Sequence, residues 1–103
     1  MIDRIALGTA QFGLPYGITN DNSQVSLNEI KDIIKYAELK GIDTLDTAIS
    51  YGDCQKRLGK SDLSAWKVIT KLPQIHEKSA DVVEWIRRQV DKSLLDLKLK
   101  SID

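Results

Sequence analysis

The chain has 103 residues, 15 basic and 15 acidic side chains, and a formal net charge of zero. That length allows one domain and excludes two of ordinary size. Hydrophobic content of 42% beside 29% charged residues excludes a disordered chain, and the lack of a basic excess argues against nucleic acid or an anionic membrane surface as partner.

A chain this long buries roughly two-thirds of its unfolded surface, so it needs neither metal nor disulfide to fold. Its single cysteine, Cys54, has no internal partner, which fits a reducing compartment. The N-terminal stretch reaches Gly8 without the apolar core of a signal peptide. No apolar run approaches the roughly 20 residues of a membrane span. The expectation is a cytoplasmic protein.

Taken in order, Arg4 to Gly8 reads as a first strand stopped by glycine. A loop with Gly13, Pro15, Gly17 and the polar cluster Thr19 to Ser23 comes next. Ser26 and Glu29 have capping-box spacing, and Ile30, Ile33, Ile34 and Ala37 recur with helical period. Gly41 stands where a left-handed C-terminal cap belongs. Ile42 to Asp46 then predicts a second strand, Asp53 to Gly59 a short helix, and Trp66 to Lys71 a third strand closed by Pro73. The last helix runs from Ser79 or Asp81 to Leu99. Its stripe of Val82, Val83, Ile86, Val90, Leu94 and Leu97 is expected to pack on the sheet. Ser101 to Asp103 reads as the opening of a fourth strand. Strand and helix alternate, which predicts an α/β fold with a parallel sheet.

Parallel α/β folds gather functional groups at the C-terminal ends of their strands. Those ends carry Gly8, Thr9, Ala10 and Gln11, then Asp46 with Tyr51 close behind, and then Lys71. Alternation along the second strand puts Asp46 on the face opposite Leu45. A phenol is a weak acid near neutrality, but a neighbouring ammonium favours its ionised form, and a carboxylate can hold that ammonium in place. Such a tyrosine can protonate a carbonyl oxygen as hydride reaches the carbon.

Each of these residues also has a plainer reading. Asp46 could simply terminate a strand, Tyr51 could be a partly buried aromatic, and Lys71 a solvated strand end. Gly8 and Gly13 do not make a phosphate loop, because Leu14-Pro15 stands where Lys and Ser or Thr are needed. Gly8 is better read as permitting a tight turn. His76 reads as a solvent-facing loop residue, Cys54 as structural or incidental, and Trp66 and Trp85 as packing residues. No metal-ligand spacing is present.

The segments Leu7-Gly-Thr-Ala-Gln-Phe-Gly13, Gly41-Ile-Asp-Thr-Leu-Asp-Thr-Ala48, Tyr51-Gly52 with Leu58-Gly59, and Ile69-Thr-Lys-Leu72 resemble the aldo-keto reductases. The resemblance extends from Ile5 to Asp103, and Leu45 to Gly52 is its most specific part. It implies a (β/α)8 TIM barrel that reduces aldehydes or ketones with NADPH or NADH. Residues 1–103 would be its N-terminal part, about three βα units plus the start of strand 4, since a whole barrel needs about 250 residues. By motif position Asp46 would be the catalytic carboxylate, Tyr51 the proton donor and Lys71 the tuning cation. Gly8, Thr9 and Asp46 would lie at the cofactor.

Two departures stand out. Tyr51-Gly-Asp-Cys-Gln55 replaces the common Tyr-Gly-x-Ser-Glu, and the family's catalytic histidine would lie beyond Asp103. The resemblance therefore implies that the chain alone is inactive, with unpaired sheet edges that favour self-association. Two alternatives remain open. One is a barrel lyase using Lys71 as a Schiff-base nucleophile, and the other a non-catalytic partial barrel that binds another chain.

Overall fold

A computed structural model describes residues 4–15, 24–75 and 81–103. His76, the Thr19 to Ser23 cluster, Gly17 and Ser79 lie outside the described residues.

Among the described residues, three short strands build a parallel sheet in the order β1 (Leu7–Gly8), β2 (Thr44–Asp46), β3 (Lys67–Ile69). Leu45 stands opposite Leu7 on one side and Val68 on the other. Leu45 and Val68 are fully buried, whereas Ile69 is 46% exposed. The two-residue period thus separates an apolar row packed under helices from an open row carrying Thr44, Asp46, Lys67 and Ile69. Each strand is shorter than its apolar run predicts.

Among the described residues, four helices accompany the sheet. They are α1 (Ala10–Gly13), α2 (Leu27–Leu39), α3 (Cys54–Leu58) and α4 (Val82–Leu97). The stretch after Gly8, expected to be loop throughout, begins with the single turn α1. Four residues are too few to display a 3.6-residue period, and this one ends on glycine.

Helix α2 conforms closely to its sequence signals. The Glu29 amide donates to Ser26 Oγ at 3.2 Å, while the Ser26 hydroxyl donates to Glu29 Oε1 at 3.2 Å. The box therefore closes on the hydroxyl rather than on the Ser26 amide. At the other end, Gly41 takes φ 85°. The Ile42 amide then donates to Ala37 O and the Gly41 amide to Glu38 O, each at 3.0 Å. This is the Schellman arrangement. Ile30, Ile34 and Ala37 face inward and meet Leu45, Leu58, Leu63, Trp66 and Val68 in one core. Trp66 is buried in that core and donates its indole N–H to Glu38 Oε1 at 2.6 Å, tying β3 back to α2.

Helix α4 departs from expectation. Asp81 caps it by accepting from the amides of Val83 and Glu84, but much of the apolar stripe is uncovered. Val82 and Val83 are 53% and 67% exposed, and Ile86 and Val90 are also exposed. Burial is confined to the C-terminal half, at Ser93 and Leu97, where α4 packs on α3. A Cβ on Gly59 would stand 2.0 Å from Asp96 O, so the two helices meet at a point with no side chain. The fourth strand is present only as a contact. The Asp103 amide donates to Val68 O, and Asp103 Oδ2 accepts from the Val68 amide, both at 3.0 Å.

Two glycines of the first motif behave differently. A Cβ on Gly13 would sit 1.7 Å from Tyr51 O and 2.7 Å from Cys54 Cβ, because α1 and α3 touch there. A Cβ on Gly8 would meet nothing within 4 Å, and Gly8 is not among the positive-φ residues. The tight turn expected at Gly8 is therefore not what glycine provides there. In urea unfolding, Gly13→Ala should cost about 3 kcal/mol or more by overpacking, while Gly8→Ala should change stability by about 0.5 kcal/mol or less. Lys98 closes α4 at φ 56°, so Lys98→Gly should stabilise the fold in the same urea assay by about 0.5–1 kcal/mol, relief of left-handed strain outweighing the added chain entropy.

Candidate active site

The C-terminal ends of the three strands lie side by side, so the register decides which residues become neighbours just beyond them. Asp46 closes β2 directly across from Gly8 and Ile69. Beyond the strands, the amide of Thr47 donates to Ile69 O at 2.9 Å, and that of Ile49 to Lys71 O at 3.2 Å. These bonds prolong the β2–β3 pairing past the last strand residue and bring Lys71 beside Asp46. The chain then turns. The Tyr51 amide donates to Ala48 O at 3.2 Å, and Gly52, at φ 61°, adopts a backbone that favours glycine and leads into α3.

Asp46, Tyr51 and Lys71, far apart in sequence, meet at this rim. Lys71 Nζ donates to Asp46 Oδ1 and, at 2.8 Å, to the Thr47 carbonyl oxygen. The same ammonium lies 5.3 Å from the centroid of the half-buried Tyr51 ring. The hydrogen bond to the Asp46 carboxylate holds the Lys71 amine above its ordinary value of 10.5, and the Tyr51 hydroxyl acts in the same direction. A cation fixed by a carboxylate and set against a phenol can stabilise negative charge left on that phenol when its proton departs.

A cavity of about 230 Å³ opens over this rim, lined by Gly8, Thr9, Ala10, Gln11, Asp46 and Tyr51. The space above Gly8 is open, and glycine there leaves backbone accessible to a flat ring. Thr9 contributes in another way. Its side chain is buried, and both its amide (3.1 Å) and its hydroxyl (3.0 Å) donate to Asp46 O. Thr9 thus latches the end of β1 to the end of β2.

Below the rim lies a polar layer that sequence reasoning did not assemble. Cys54 is fully buried, with Sγ 3.4 Å from Thr47 Oγ1, 3.2 Å from Thr9 O and 3.3 Å from Thr9 Oγ1. Burial pushes this thiol above its ordinary value, so it remains protonated and inert near neutrality. Gln55 is buried as well. It accepts from the Thr70 hydroxyl at 2.8 Å and donates to Ser93 Oγ at 3.0 Å. The only sequence signal for these roles was the departure from Ser-Glu at 54–55. A second cavity, about 170 Å³, lies between α3 and α4 beside Gln55, Lys92 and Asp96. Among the described residues, no cluster of three or more His, Cys, Asp or Glu is arranged to hold a metal ion, and no helix is long and apolar enough to cross a membrane.

The Lys71–Asp46 pair is half exposed, so its contribution to stability is small. Because partnership raises the folded-state value of Lys71, that contribution is complete below about pH 10 and is lost as pH rises through the folded value. Urea melts of wild type and Lys71→Met should therefore differ at pH 8, and the difference should shrink as pH rises through the raised Lys71 value.

A model of the aldo/keto reductase family matches residues 4–103. No curated protein sequence gave a significant match. Among solved structures, the chain is similar to a protein of Pseudomonas aeruginosa assigned to the aldo-keto reductases. That similarity has 28% identity and a TM-score of 0.77, and covers 95% of this chain and 39% of that one. It is also similar in fold to an aldo-keto reductase of Bacillus halodurans (20% identity, TM-score 0.70, 96% and 33% coverage). Giardia lamblia aldose reductase is a further fold relative (18% identity, TM-score 0.63, 100% and 32% coverage). The chain thus spans about two-fifths or less of the length of these relatives, and its parallel strand–helix units form part of a (β/α)8 barrel. With the family model matched over nearly every residue, the chain belongs to the aldo/keto reductase family.

Proposed function

We propose that this chain supplies the proton-donating part of a carbonyl-reducing site, in an oxidoreductase that uses NADPH or NADH. The observation that carries the reading is the Lys71 ammonium, bonded to the Asp46 carboxylate and set against the Tyr51 ring. In this reading Tyr51 gives its hydroxyl proton to the carbonyl oxygen of an aldehyde or ketone. Lys71 stabilises the phenolate left behind, and Asp46 holds Lys71 in place. A bound nicotinamide would supply the hydride. Gly8, Thr9 and Asp46 form the wall on which it would rest, Gly8 by leaving the backbone open and Thr9 by fixing the carbonyl of Asp46.

Charge on Lys71 argues against a Schiff-base lyase. Attack on a carbonyl requires a neutral amine, and the Asp46 carboxylate favours the cation. Residues 1–103 would form the N-terminal part of a longer barrel, an incomplete domain by themselves. The open sheet face around Ile69 and Leu72, each nearly half exposed, would be covered by the rest of that barrel or by self-association.

Enzyme activity is the direct test. The 103-residue chain mixed with NADPH and a reactive aldehyde should give no turnover, because a fourth catalytic group and the cofactor's phosphate site would come from elsewhere in a whole barrel. A full-length barrel containing these residues should oxidise NADPH. There Tyr51→Phe should lower kcat by about 10²–10⁴-fold, the usual worth of a positioned general acid. Turnover surviving Tyr51→Phe would overturn the assignment.

A further inference from the structure

The geometry points to the first turn of α3, through Cys54 and Gln55, as the element that positions the Asp46–Lys71 pair. This inference rests on the reading of that pair as catalytic, and it names residues that contact neither Asp46 nor Lys71 directly.

The hydrogen bonds through Cys54 close into a ring. Lys71 Nζ donates to the Asp46 carboxylate and to the Thr47 carbonyl. The Asp46 carbonyl accepts from the Thr9 hydroxyl, and Thr9 accepts from the Cys54 thiol. The Thr47 hydroxyl, the remaining partner of Cys54 Sγ, completes the circuit. One assignment satisfies every member, with Thr47 donating to sulfur, the thiol to Thr9, and the Thr9 hydroxyl to Asp46 O. Both residues whose oxygens orient Lys71 are therefore tied to a single buried side chain, Thr47 directly and Asp46 through Thr9.

Gln55 acts one strand over. Its carboxamide must accept from Thr70, the residue immediately before Lys71, while donating to Ser93 on α4. This fixes the β3 end in addition to the Ile49–Lys71 backbone bond. A carboxylate could accept from both hydroxyls, so glutamate fits the same place, whereas an apolar side chain would leave both hydroxyls without partners. The first turn of α3 is itself pressed against α1, since Gly13 and Cys54 approach too closely for a Cβ between them. The positioning device thus has a rigid backing.

The test reads Lys71 directly and needs no turnover. Trace acetylation of lysine amines, followed by peptide mass spectrometry across pH 8–11, gives the titration of each lysine separately. Asp46 and Tyr51 are the titratable groups facing Lys71 among the described residues. In the wild type, Lys71 should label less than the exposed lysines at the same pH. Cys54→Val and Gln55→Ala should loosen its partnership with Asp46 and raise its labelling by about twofold or more. Cys54→Ser and Gln55→Glu should restore wild-type labelling, which a loss of packing alone would not do. Thr70→Val removes the Gln55 contact from a half-buried position and decides the matter if the buried variants do not fold. Unchanged Lys71 labelling in folded Cys54→Val and Thr70→Val proteins would overturn the proposal, whatever activity Tyr51 is found to support.

Discussion

Parallel pairing of β2 with a strand on each side is the constraint on which the rest of this molecule depends. Leu45 lies in an apolar row with Leu7 and Val68, and burying that row under the helices is what sets the register. Side chains alternate along a strand, so a slip by one residue would exchange the two faces. Asp46 would then point into the helical core and Leu45 into the open rim. Hydrophobic burial between sheet and helices, not any polar contact, thus decides which carboxylate meets Lys71. The polar bonds refine a placement already made.

That hierarchy explains how energies are divided in the site. The Asp46–Lys71 pair is half exposed, and water screens much of its attraction. Its geometry is set by groups that water does not reach, including Thr9, Thr47, Cys54 and Gln55, all buried. A buried hydrogen bond adds modestly when made but is costly to leave unmade. Such a layer works as a specification: few arrangements satisfy every donor and acceptor, and those that do share one rim geometry.

Much of this was legible in the residues themselves. The α2 boundaries come from Ser26, Glu29 and Gly41, because caps are local chemistry and act within a turn. The rim trio could be placed because strand ends collect the segments attached to them. Other features were not legible. Helix α1 is a single turn with no period to detect, and the α4 stripe reads as core although only its C-terminal half finds a neighbour. The partners of Gln55 lie 15 and 38 residues away in sequence, so its role exists only once α3, α4 and β3 have been brought together. Gly8 shows the opposite limit. Glycine there suggested a turn, but it leaves open space where a side chain would otherwise stand over the rim.

The contact between α1 and α3 also bears on how such a chain can vary. A Cβ at Gly13 would collide with the Tyr51 carbonyl and with Cys54, and one at Gly52 would stand 2.5 Å from the Gly13 carbonyl. Neither position can accept a larger residue while the other segment stays where it is. The short motif before α2 and the one after β2 are therefore a single unit of inheritance divided between two stretches of sequence. Drift in one must wait for a matching change in the other, and a lineage that lost one glycine would be expected to rebuild both segments together.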